Sequence, residues 1–596
     1  MKTYAAKLVL AAICVFAPPA RSQSPSSAND ALQTVAERSK FQRTGRYDEV
    51  ERLCRAYERN WPTAVRCAEF GRTPEGRPML ALVASRTGAL TVAAARSRGL
   101  PVMLMQGGIH AGEIDGKDAG FLALREMLQD KAALGALKSF VLVFVPVFNV
   151  DGHERFGRWN RPNQRGPEEM GWRTTAQNFN LNRDYTKADA PEMQAMLRLL
   201  GDWDPVMYVD LHVTNGAQFE HDVSNTLEPV YAGDPQMHPA GRALLAELNA
   251  GLAAKGSLPL DFYPSFVDYD DPASGFSAGA STPRFSTGYW PLRNRFALLV
   301  ETHSWKDYPT RVRITHNTIT TLAGMMAKQG SRWRTLAQEA DLRAQKLAGQ
   351  NVPIEYSTGT HFTTIDFRGY AYKREKSSIS NGLVTRYDAT RPQVWRIPLR
   401  DSVVATTLVK APLGGYIVPA SQAGWVSEKL TLHGIRFVLL TTALTNAAVE
   451  AFRADSVSFA SAPYESHMRA NIFGQWRNER RPIAAGSLFV PIAQPKARLI
   501  VTLLEPRSQD SFAAWGFFNG AFEAKEYMES YVTEQVAAEM LKDPAVAAEF
   551  RKRLEDSRFA GNPAARFDFF YRRHPSYDER LNLYPVYRTA TNSYSQ

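Results

Sequence analysis

Apolar and polar positions follow two different textures along this chain. From about residue 41 to 349, short apolar runs alternate with stretches of helical periodicity, the pattern of an α/β layer structure. The run 101–106 (PVMLMQ) predicts a buried strand, broken by Gly107-Gly108. Over 116–129, Phe121, Leu124 and Leu128 fall on one face, which predicts a helix. The run 140–150 (FVLVFVPVFNV) predicts a second buried strand, and 206–213 and 296–301 predict two more. Pro191 opens a helix in which Met193, Met196, Leu197 and Leu200 recur at helical spacing.

Beyond Gly349 the texture changes. Runs of β type at 403–409, 435–441 and 497–504 are separated by Pro and Gly turns, and a helical stretch follows at 524–541. At 596 residues the chain exceeds what one core usually holds, about 250–300 residues. The expected organisation is an α/β domain over 41–349 and a β-rich, then helical, C-terminal region of unknown role over 350–596.

Residues 1–22 read as a signal peptide. Lys2 and Lys7 precede an apolar stretch at 8–20 that falls short of the about 20 residues needed to span a bilayer. The protein is therefore expected to be exported, periplasmic or secreted, with no membrane span. Removing the leader lowers the formal charge from +11 to roughly +8 or +9, which fits a solvated basic surface. No nucleic-acid motif accompanies that charge, so nucleic acid is not an expected partner. Cys54 and Cys67 remain after the leader, either as a bridge or as two buried thiols. Oligomeric state is not legible.

Candidate chemistry gathers at strand ends. Gly-Gly-Ile-His-Ala-Gly-Glu places His110 and Glu113 just after the first strand, on one side of a tight turn. Val-Asp-Leu-His-Val ends another strand with His212, and Leu-Leu-Val-Glu-Thr-His ends a further one with Glu301. Two imidazoles and a carboxylate suit Zn²⁺ and leave a fourth position open, as catalytic sites require. Open α/β sheets place their sites at the carboxyl ends of strands, where these four residues fall. An isolated H-x-x-E is common by chance; the set of four carries the signal.

In order along the chain stand His110-x-x-Glu113, Asn149-Val-Asp-Gly152, Asn182-Arg183, His212 and Glu301. This ordered set resembles the carboxypeptidase A-type zinc peptidases over roughly 71–305. The resemblance implies a mixed twisted sheet flanked by helices. It also implies one zinc ion held by His110, Glu113 and His212, the two-histidine, one-glutamate set of carboxypeptidase A itself. It implies peptide-bond hydrolysis at the free C-termini of peptides or proteins, with Glu301 as general base and acid toward zinc-activated water. Asn182 and Arg183 match the pair that receives the terminal carboxylate, where a guanidinium makes two parallel hydrogen bonds. A second arginine polarises the scissile carbonyl; Arg161 is the expected residue, with Arg158 and Arg165 as rivals. Tyr289 takes the place of a tyrosine over the substrate, or packs in the core. Asn180 stands where relatives commonly carry aspartate behind the first zinc histidine, so His110 is oriented by an amide and its basicity rises less. His303 is expected to be structural.

Two other readings remain open: a zinc amidohydrolase acting on cell-wall peptides or acylated amino acids, and a non-catalytic binding protein that keeps the fold. Gly-x-Ser-x-Gly, His-Glu-x-x-His and phosphate-loop patterns are absent.

Overall fold

The computed structural model describes residues 30–594, so the expected leader lies outside the described residues. Its centre is an eight-stranded mixed sheet. In chain order its first strands are β1 (Val65–Arg72), β2 (Pro78–Ala84), β3 (Val102–Gly107), β4 (Val141–Val145), β5 (Met207–Val213), β6 (Val223–Glu228) and β7 (Pro259–Leu260). After β8 (Phe276–Ser277), which joins another sheet, β9 (Phe296–Thr302) completes it. The spatial order is β1-β2-β4-β3-β5-β9-β6-β7. The inner strands β4, β3, β5 and β9 run parallel, while β2 and β6 flank them antiparallel. Every residue of β3, β4 and β5 is buried, as expected of parallel strands covered on both faces.

The covering helices are α1 (Tyr47–Asn60), α2 (Asp115–Leu128), α3 (Pro191–Trp203), α4 (His238–Ala253) and the 37-residue α5 (Tyr308–Ala344). The predicted strands and helices of this half are all present. The second strand is shorter than its apolar run, because Pro146 follows its last residue and Val150 already opens a helical turn. Cys54 and Cys67 are joined in a disulfide that ties α1 to β1.

The later region is β-rich and then helical, as its texture implied. Two strands there, β10 (Asn351–Thr358) and β13 (Val403–Lys410), pair with each other. The long hairpin β11 (Thr363–Lys376) and β12 (Leu383–Arg400) attaches to β8. Its Phe367, Trp395 and Ile397 pack with Phe219, Phe262 and Phe276. Six further strands form another sheet: β14 (Gly415–Val418), β15 (Val438–Leu439), β16 (Leu444–Phe459), β17 (Ala470–Ile483), β18 (Leu488–Pro491) and β19 (Leu583–Thr589). Of these, β16 and β17 pair as a hairpin. Two expectations fail here. Of 435–441 only β15 is strand, and 497–504 is a helix, Ala497–Leu504. All eight residues of that helix are buried. An unbroken apolar run does not distinguish strand from helix by period, and a helix pairs its own backbone groups where no sheet edge adjoins it. A single apolar core extends from Leu32 to Val586 and so links the central sheet to the later region.

Candidate metal centre and substrate cavity

The site grows from strand ends in register. β5 and β9 pair so that His212 lies opposite Glu301, and β3 beside them feeds the turn that carries His110 and Glu113. That turn is closed by the Glu113 amide donating to the His110 carbonyl at 2.8 Å. Gly108 enters it at φ +62°, a left-handed conformation that glycine adopts without strain. A side chain at Gly112 would meet Cγ of Arg161 at 2.5 Å, so the missing Cβ lets that arginine lie against the turn. Asp115, in the first turn of α2, pairs with buried Arg311 at 2.9 Å and accepts from Thr302 Oγ1 at 2.8 Å. This locks the end of β9, next to Glu301, to the start of α2.

His110, Glu113 and His212 are all buried, and one ligand atom from each lies within 4.8 Å of the others. Both rings turn Nδ1 toward the Glu113 carboxylate, at 3.0 Å from Oε1 and Oε2 respectively. The outer nitrogens meet acceptors. His110 Nε2 lies 3.3 Å from Asn180 Oδ1, and His212 Nε2 lies 3.0 Å from Asp210 Oδ2. The second contact is poorly aligned as a hydrogen bond and acts as a charge contact. Sequence reasoning did not single out Asp210, although its place two residues before His212 on the same strand face was a signal.

Electrostatics distinguish the carboxylates. Burial alone would raise Glu113, but Arg161 and the imidazoles overcome it and hold the group well below its ordinary range. Burial lowers His110 to about 4. For His212 burial is outweighed by Asp210, which raises the ring well above its ordinary value. Burial pushes Glu301 up to about 8; His212 opposes that rise, while Glu113 and Asp210 add to it. Its Oε2 is buried with no hydrogen-bond partner among the described residues. Two nitrogens and an ionised carboxylate converging in a buried space are a donor set that fits zinc.

A cavity of about 750 Å³ opens from this cluster. Its wall includes His110, Glu113, His212, Glu301, Asn182 and Arg183. Arg183 lies over the Phe285 ring at 4.2 Å, and Asn182 Oδ1 is buried without a partner among the described residues. Arg161 is not on the wall. It is buried against the turn and donates to Glu113 Oε1 at 2.6 Å. Arg173 lines the cavity instead, 3.8 Å from Glu113 Oε1, with its pKa lowered by burial. Nothing in the spacing of the arginines marked it out, since only the fold of the 155–180 loop decides which one faces inward. Of the rivals, Arg158 lies over Trp159 and Arg165 over Trp305.

Of the two alternatives for Tyr289, the structure takes packing in the core. Its ring is fully buried and its hydroxyl bonds His433 Nδ1 at 2.8 Å, a residue far along the chain that no local pattern connects to it. Tyr231 and Tyr263 are the tyrosines on the cavity wall. His303 is buried, stacked on Phe219 at 4.2 Å and 3.3 Å from Thr214 Oγ1. The Asn149–Gly152 motif is structural too. Asn149 accepts from the Gly152 amide at 3.0 Å, and Asp151 accepts from Thr73 at 2.7 Å and Arg77 at 2.6 Å.

A zinc carboxypeptidase family model matches residues 50–230. Over this segment, less than a third of its length, the chain is similar to that family. The segment contains His110, Glu113, His212, Arg161, Asn182 and Arg183, while Glu301 lies beyond it. That similarity supports a metallopeptidase activity. Among solved structures, a metallo-carboxypeptidase from Burkholderia cenocepacia is 15% identical, with 46% of this chain and 68% of its own covered at a TM-score of 0.34. Carboxypeptidase A from Helicoverpa armigera is 17% identical, with 52% and 80% covered at a TM-score of 0.35. No curated protein matches the chain in sequence. Among the described residues, no helix is long and apolar enough to cross a membrane.

Proposed function

We propose that the protein is an exported zinc carboxypeptidase, with residues 41–349 as its catalytic domain and 350–596 as a companion region. The observation that carries this reading is the shared cavity. The buried His110–Glu113–His212 cluster, an acid-ready Glu301 and the guanidinium of Arg183 all open onto it. Zinc held by that cluster would supply Lewis acidity and make water nucleophilic near neutral pH. Glu301 takes and returns the proton, since its raised pKa brings both protonation states within reach at working pH. Arg183 and Asn182 receive the terminal carboxylate, and Arg173 is placed to polarise the scissile carbonyl. Burial keeps His110 neutral, the form a cation needs, while His212, whose proton Asp210 favours, would release that proton when a cation binds.

Rates on matched free-acid and amidated peptides test the carboxyl-terminal part of this reading. A strong preference for the free acid is expected, and equal rates would redirect the assignment to an amidohydrolase. Metal analysis of the purified protein tests the rest; an active protein free of zinc would remove the whole reading.

A further inference from the structure

Asn180 lies beside the His110 ring, and the C-terminal region reaches it. Asn180 Oδ1 accepts from the Asn182 amide at 3.2 Å and faces His110 Nε2 at 3.3 Å. Both contacts require the oxygen on that side, so the orientation of the amide is set by its partners. The Nδ2 donor then points the other way, where Glu465 Oε1 lies at 3.5 Å.

Glu465 sits at the tip of the β16–β17 hairpin, 285 residues from Asn180 along the chain. The tip is held firmly. Glu465 and Ser466 adopt φ of +48° and +70°, left-handed conformations that non-glycine residues keep only under surrounding constraint. Tyr464 and His467 exchange backbone hydrogen bonds at 2.9 and 3.1 Å across the tip. His467 Nε2 contacts Asp189 Oδ2 at 2.7 Å, and the Tyr464 ring stacks on buried Trp515 with centroids 6.0 Å apart. Asp189 belongs to the loop that follows Asn182-Arg183, so the hairpin is pinned to the segment that also carries Asn180.

We propose that Glu465 is a positioning residue for the metal centre. Its carboxylate anchors the Asn180 amide, the Asn180 oxygen accepts the His110 Nε2 proton, and His110 Nδ1 is thereby aimed at the ion. A negative charge is thus delivered behind His110 through a neutral amide by the C-terminal region. This gives that region a chemical task which its sequence does not disclose. The inference rests on the reading of His110, Glu113 and His212 as zinc ligands.

The test is zinc affinity of the full chain, measured by competition with a chelator. Outer partners of ligating histidines typically change affinity about 10–100-fold when removed; Glu465 acts one step further out, so Glu465→Ala is expected to weaken zinc binding by roughly 3–10-fold. Glu465→Gln keeps an acceptor without the charge and should fall between. In an Asn180→Asp background the new carboxylate takes the His110 proton itself, so adding Glu465→Ala should cost nothing or improve affinity by relieving repulsion. Thermal unfolding of the zinc-free proteins should be unchanged by Glu465→Gln. Equal affinity of the parent and Glu465→Ala overturns the inference while leaving the metal reading standing. The same loss in both backgrounds also overturns it, because that is the behaviour of a merely structural contact. No zinc binding by the parent chain removes this inference together with the reading beneath it.

Discussion

Glu192, at the start of α3, carries a pH dependence that can be worked out from its surroundings. Its side chain is fully buried, and neither carboxyl oxygen has a hydrogen-bond partner in another described residue. Burial, with Asp151 and Asp184 adding like charge, raises its pKa from 4.5 to about 7. The folded protein therefore holds this proton more tightly than the unfolded chain does. Below pH 4.5 both states are protonated and no penalty applies. Between 4.5 and 7 the unfolded chain ionises first, so the group's contribution to stability falls as pH rises. Above 7 the folded state bears a buried charge, a destabilisation of roughly 3 kcal/mol. Glu192→Gln replaces the acid with a neutral group of the same shape. Urea unfolding at pH 8 should show the variant to be more stable than the parent by about 2–3 kcal/mol more than at pH 5. An equal effect at both pH values, or a loss confined to pH 8, would refute the argument and point to an ionised, solvated Glu192.

Other outcomes follow from the site and its supports. Glu301→Gln should retain zinc but lose at least ~10²-fold in kcat; full activity in the zinc-loaded variant would show Glu301 to be misassigned. Tyr289→Phe should leave kcat/KM unchanged and cost about 1–3 kcal/mol in stability, because His433 Nδ1 loses its donor inside the core. A fall in activity without a change in unfolding would instead return Tyr289 to the substrate. Reducing the Cys54–Cys67 bridge, which spans 13 residues, should lower stability by about 3 kcal/mol at constant pH, read as a drop in unfolding midpoint.

Legibility differed between the parts of the site. His110, Glu113, His212 and Glu301 were readable because each sits in a short motif at the carboxyl end of a buried strand, and the strand itself announces the position. Asn182 and Arg183 were readable from their order in the same series of motifs, and both line the cavity. The arginines were not. Arg158, Arg161, Arg165 and Arg173 share one loop, and their roles depend on which way the chain turns after β4. The two alternatives for Tyr289 stayed open for a related reason, since its partner His433 is 144 residues away.

The amino-acid sequence by itself determined the α/β character of the first half and the strand ends that bear His110, Glu113, His212 and Glu301. Local periodicity and turn chemistry act over a few residues, and these features are all local. The helix Ala497–Leu504, the facing of Arg173 into the cavity and the meeting of Glu465 with Asn180 were decided only by tertiary structure. Each depends on which surfaces are buried against one another across long stretches of chain. Burial sets both the conformation an apolar run adopts and the partner a polar atom must find.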